Sequence, residues 1–228
     1  GWDAEAQTTH TIDYLRERDS ENPFCLFLSW GPPHHPYRLV PEEYLDQYDL
    51  DAIEGRPNCP DVPREDLWGY FAQTTFLDDQ FQRLIDAISD MGLDDDTIIV
   101  FSSDHGDMHG SQGVYKKQWP WNEAIKVPFA IRYPDVISSG ARLDAPISVI
   151  DVMPTLLSLA GVPIPDTVEG VDLSPVLRGE RTTPPESVLI MNPCPFSIGD
   201  KRGFDQYPDY KGKRLEYRGV ITAQYTYV

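Results

Sequence analysis

The chain has 228 residues, 40% of them hydrophobic, enough for one full-sized domain or for one domain plus a small appendage. Its formal charge of -18 repels phosphate backbones and argues against a nucleic-acid partner, and no apolar run reaches the roughly 18 residues that a membrane span requires. Cys25, Cys59 and Cys194 are widely spaced with no CxxC or metal-finger pattern, which speaks against a disulfide framework while leaving room for one bridge.

The opening GWDAEAQTTH has neither the basic nor the apolar region of a secretory signal, and a missing upstream stretch would leave export open. Residues 4–17 carry small or apolar side chains at helical spacing, and the polar ERDSENP ends that helix. The aromatic-rich run from Phe24 to Trp30, stopped by Gly31-Pro32-Pro33, predicts a buried strand leading to a loop that presents His34 and His35. Pro and Asp make the text from Val40 to Arg64 irregular. A long helix is predicted from about Glu65 to Met91, with Phe76, Leu77, Phe81, Leu84, Ile85 and Ile88 on one stripe and Gly92 as its cap.

After Asp94-Asp95-Asp96, read as a solvated turn, Thr97 to Phe101 is a continuous β-branched run of the kind found in buried parallel strands. It delivers Ser102-Ser103-Asp104-His105-Gly106-Asp107 to a strand's carboxyl end, where open α/β sheets place their ligands. Further strands are predicted at 128–133, 188–191, 217–222 and 225–228, and a helix from Val149 to Ala160 ended by Gly161. Strands alternating with helices indicate α/β. From about residue 184 the composition shifts to Pro, Gly, Tyr and Lys, so residues 1–183 are expected to form an α/β core and 184–228 the incomplete start of a small antiparallel subdomain.

Asp104 and His105 leave the strand side by side, and such neighbours can coordinate one divalent cation, with Gly106 expected to let the backbone turn sharply. A plain turn with a solvated Asp and His is the alternative. The stretch around them, TIIVFSSDHGDMHGSQGVYKKQWPWNEAIKVPFAIRYP, resembles the sulfatase family of the alkaline phosphatase superfamily: S-D-H-G-D after a buried strand, G-S-x-G, a lysine after a short aromatic turn, a V-P pair and a strand ending R-Y-P. FCLFLSWGPPHHPYRLVPEEYLDQY is similar to the family's strand followed by P-H-x-P-Y. The helix around Val149–Ala160 with GVDLSPVLRGE, and the final EYRGVITAQYTYV, resemble the family's later elements. Departures at Gln112 and Asn122 touch none of the site residues.

The resemblance implies a largely parallel mixed sheet flanked by helices. It also implies that Asp104 and His105 are metal ligands, with Asp104 touching the nucleophile, and that Lys117 rather than Lys116 is the active-site lysine. By the same likeness His34, two residues before the proline, is the catalytic histidine, His35 is a variable neighbour, and Asp151 is a helix-start residue. The implied cofactor is a divalent metal, Ca2+ by preference with Mg2+ or Mn2+ as alternatives, together with a formylglycine nucleophile. No C/S-x-P/A-x-R motif occurs in the chain: Cys59 opens CPDVPR and Cys194 opens CPFSI. The nucleophile, the first pair of metal-binding aspartates and a second lysine and histidine are therefore expected in an absent N-terminal segment, a partner this chain would need for turnover.

The implied activity is hydrolysis of a small-molecule or glycan sulfate ester, in a periplasmic or secreted setting. Two alternatives stand beside it: a phosphate or phosphonate ester hydrolase of the same superfamily, and a truncated, inactive sulfatase fragment. Lys201, Arg202, Lys211, Lys213, Arg214 and Arg218 form a basic tail, and Lys211 and Lys213 are speculative contacts for an anionic substrate, with plain surface charge as the other reading. DLDAIEG, from Asp49 to Gly55, is discounted as a calcium loop because Ile53 holds its fifth position.

Overall fold

A computed structural model of the chain describes residues 2–180, 183, 185–192 and 216–228. It forms two compact units, Gly1–Asp94 with Met108–Tyr115, and Asp95–Asp107 with Lys116–Val228. These limits differ from a division near residue 183, because the chain leaves one unit for the other twice within the stretch that follows the DHGD motif.

The first unit holds helices α1 (Asp3–Glu17), α2 (Glu42–Leu45) and α3 (Arg64–Asp90), with a 3-10 turn at Leu50–Ala52. The turns at 42–45 and 50–52 interrupt the stretch read as irregular; Asp49 accepts the Asp51 N–H and so starts a helical turn, not an ion loop. Along α1 the buried residues Ala4, Thr8, Thr11, Ile12 and Leu15 recur at helical spacing. Ala4 joins Val40, Ala72 and Phe76 in the core, flanked by Trp30, Tyr44 and Leu77. Helix α3 ends as its sequence predicts: Gly92 takes φ +65°, its N–H donates to Ser89 and that of Leu93 to Ile88, so the last carbonyls are satisfied.

The run from Phe24 to Trp30 corrects the sequence reading. Its side chains alternate between half-buried and exposed, yet no strand pairs with it among the described residues. Strand formation requires a ladder partner as well as an alternating pattern. Phe27 is accordingly 90% exposed, while Trp30 is fixed by an indole N–H bond to Thr8 (3.0 Å) and an edge contact with Phe81.

The second unit contains β1 (Ile99–Ser102), α4 (Asn122–Ile125), β2 (Phe129–Arg132), α5 (Val152–Leu159), α6 (Ser174–Leu177), β3 (Ser187–Asn192), β4 (Tyr217–Thr222) and β5 (Thr226–Tyr227). Here too the structure differs from expectation: β1, read as a parallel strand, pairs antiparallel with β2 from Ile99↔Arg132 to Ser102↔Phe129 and is half-buried. All ladders among the described residues are antiparallel, including β3-β4-β5. The late strands stand where their patterns put them. Asp151, 4% exposed, starts α5 as expected: its carboxylate accepts the backbone N–H groups of Ser148 and Val171 (both 2.8 Å). Among the described residues no helix is long and apolar enough to cross a membrane, and Cys25 and Cys59 are unbridged.

Candidate active site

Strand β1 ends at Ser102, whose hydroxyl donates to the Pro128 carbonyl (3.0 Å) and so ties the strand end to the start of β2. The next hydroxyl, on Ser103, donates to the His105 carbonyl (2.9 Å), and Asp104 Oδ1 accepts the His105 N–H (2.9 Å). These local bonds shape the turn that projects Asp104 into solvent, its side chain 84% exposed.

His105 Nδ1 lies 2.8 Å from the Gly106 carbonyl. A carbonyl only accepts, so Nδ1 carries the proton and the lone pair of the neutral ring belongs to Nε2. That atom stands 3.4 Å from Asp104 Oδ2, a separation that lets both atoms ligate one cation. The donor set fits part of a coordination shell. An oxygen-seeking ion such as Ca2+ takes six to eight ligands, and the described residues contain no cluster of three or more candidate donors. Asp104 and His105 would hold one side of such an ion, and the carboxylate suits Ca2+, Mg2+ or Mn2+.

Gly106 is required for a reason different from the one its sequence suggests. Its φ is not left-handed; instead its N–H donates to Ala124 (2.8 Å), and any Cβ would collide with the Glu123 carbonyl oxygen. The glycine thus permits a close backbone approach that holds the motif against α4.

Asp107 then accepts the backbone N–H of Lys116 at 3.1 Å, closing the base of the excursion 108–115. Lys116 is exposed and left-handed at φ +64°, whereas Lys117 is half-buried. The backbone just beyond Lys117 is anchored. Trp119 is 2% exposed and stacks on Trp121, while the carbonyls of Gln118 and Trp119 accept bonds from Asn192 and Tyr217 (both 3.4 Å). These supports join residues distant in sequence and carry no local signal. His109, Gln112, Lys116 and Gln118 all adopt positive φ, a concentration of backbone strain typical of functional loops that no sequence pattern signalled.

His34 belongs to the other unit, in the exposed turn after Trp30. Its Nδ1 donates to the His35 carbonyl (2.8 Å), the same device seen at His105, so in the neutral ring Nδ1 carries the proton. His35 instead packs edge-on against Tyr37 at 5.5 Å, a structural role. Asp104, His105 and Lys117 therefore share one unit, and His34 is built into the other. Lys211 and Lys213, with Lys201, Arg202, Arg214 and Cys194, lie outside the described residues.

A family model described as Sulfatase matches residues 2–162. The chain is 36% identical to an ulvan-active sulfatase of Formosa agariphila, over 93% of this chain and 40% of the relative. A solved structure from a glycosaminoglycan-metabolism locus of Bacteroides thetaiotaomicron aligns with TM-score 0.83 at 30% identity, over 99% of this chain and 49% of that one. A phosphonate monoester hydrolase of Agrobacterium radiobacter shares the fold alone, with TM-score 0.74 at 22% identity over 95% of this chain and 51% of that one. The expected alkaline-phosphatase-like α/β fold is the one these structures share. The chain spans about half the length of the proteins it matches or less.

Proposed function

The chain belongs to the sulfatase family of hydrolases, and from that premise we propose that it supplies metal-holding and leaving-group residues to a sulfuric ester hydrolase. The observation carrying this reading is the pairing of Asp104 Oδ2 with His105 Nε2 at 3.4 Å, both fixed by local hydrogen bonds at the end of β1. A bound divalent ion would supply Lewis-acid polarisation of a sulfate oxygen and a template for attack. The attacking group in this reading is a formylglycine contributed by residues outside the chain.

The roles of this chain's own residues follow from their chemistry. Lys117, an ammonium on a half-buried stem, neutralises charge on the non-bridging oxygens, where exclusion of water magnifies a point charge. When protonated, His34 donates from Nε2 to the departing ester oxygen as the sulfur–oxygen bond breaks, its orientation held by the Nδ1 bond to His35. The relative named for ulvan and the neighbour from a glycosaminoglycan locus support a sulfated glycan as the substrate.

In the complete enzyme, Lys117→Ala is expected to lower kcat/KM for 4-nitrophenyl sulfate by about 10²–10³-fold, the usual effect of removing one group that meets developing charge. Unchanged turnover would remove Lys117 from the mechanism. Phosphonate monoester hydrolysis is the competing chemistry on the same fold, and measured preference between sulfate and phosphonate esters separates the two.

A further inference from the structure

The turn that carries His34 continues through Pro36–Val40, and this continuation is bound along one row of α3. Glu65, Gly69 and Gln73 are spaced four residues apart and therefore share one helix face. Glu65 pairs with Arg38 at 2.8 Å, but both side chains are largely exposed and the pair is worth little. Gly69 provides the close approach: a Cβ there would stand 2.6 Å from the Tyr37 carbonyl oxygen. Gln73 provides the polar clamp, its Nε2 lying 2.9 Å from the Pro36 carbonyl and 3.4 Å from that of Leu39.

Gln73 is an expensive residue for this place. It is 1% exposed, and its Oε1 is buried with no hydrogen-bond partner among the described residues. A buried acceptor without a partner carries its full desolvation penalty, a cost that a leucine would not incur. What glutamine adds is the pair of bonds to the His34 turn. Tyr37, 7% exposed, seats the same segment with its ring 6.1 Å from Tyr70 and 4.9 Å from His109.

We propose that Gln73 and Gly69 are positioning residues for His34: α3 fixes the Pro36–Leu39 backbone and, through it, the orientation of the His34 imidazole. This rests on the leaving-group role given to His34 above. It predicts a signature that a general structural role would not produce, because an acid matters for a poor leaving group and hardly at all for a good one.

The experiment compares an unactivated alkyl sulfate with 4-nitrophenyl sulfate in the complete enzyme carrying Gln73→Leu, Gly69→Ala, His34→Ala or the double change H34A/Q73L. Gln73→Leu is expected to lower kcat for the alkyl sulfate about tenfold or more with KM unchanged, and to leave 4-nitrophenyl sulfate within about twofold. Gly69→Ala, which favours the helix itself while pressing on the turn, is expected to show the same selectivity. H34A/Q73L should be no slower than His34→Ala, since two residues acting through one group are not additive. Equal losses on both substrates, or full additivity in the double variant, would overturn the inference. A His34→Ala enzyme that loses both substrates equally, or neither, would instead overturn the leaving-group role of His34.

Discussion

At the scale of single residues the proposed pairing of Asp104 with His105 on one ion depends on which ring nitrogen of His105 carries the proton, and the Gly106 carbonyl decides that. His105→Ala in the complete enzyme is expected to weaken divalent-ion binding by at least the roughly 10-fold that follows loss of even an outer partner of a metal ligand, read by titration calorimetry. Unaltered affinity would place the ion elsewhere. Asp104, His105 and Lys117 stood out in the sequence because their spacing within a long stretch is distinctive. The reason for Gly106 was not, since a close approach to Glu123 is a tertiary fact while a glycine in sequence suggests a turn. Gln73 escaped for a related reason: a hydrophobic stripe identifies Phe76 and Ile88 on α3 but passes over a glutamine buried as deeply as either.

At the scale of elements, Asp151 and Tyr44 each tie separate segments together through side-chain hydrogen bonds. Removing the Asp151 carboxylate leaves the N–H groups of Ser148 and Val171 without their acceptor. Asp151→Ala should therefore cost about 2–4 kcal/mol in chemical denaturation, well above the effect of an exposed site. A loss below half a kilocalorie would show that neither bond matters. Tyr44 links α2 to α3 by donating to Asp79 (2.7 Å); that bond, then burial, pushes the phenol up from 10.0 to about 12. Because the folded value is raised, the contribution is fully present below pH 10 and lost between 10 and about 12. The stability gap between the native protein and Tyr44→Phe should close across that window; a constant gap would assign the difference to packing. The strand and helix patterns behind α1, α3, α5 and β2–β5 were readable from periodicity. The pairing direction of β1 and the unpaired state of 24–30 were not, because both depend on partners distant in sequence.

At the scale of the molecule, the chain matches the sulfatase family over residues 2–162 and spans about half the length of its relatives or less; in the proposed reading it brings two donors to a larger metal shell. Its fold class was legible from alternating strands and helices and from the DHGD context. The crossings between units, at Asp94 to Asp95, Asp107 to Met108 and Tyr115 to Lys116, were not, since Gly106, Gly110 and Gly113 read in sequence as turns of one motif and not as a boundary. The most direct test is kcat/KM of the complete enzyme for 4-nitrophenyl sulfate and for a 4-nitrophenyl phosphonate monoester, measured with native Asp104 and with Asp104→Ala. The account predicts a preference for the sulfate ester that collapses by about 10²-fold or more in the variant. Full sulfate turnover by Asp104→Ala, or a native preference for the phosphonate, would contradict it.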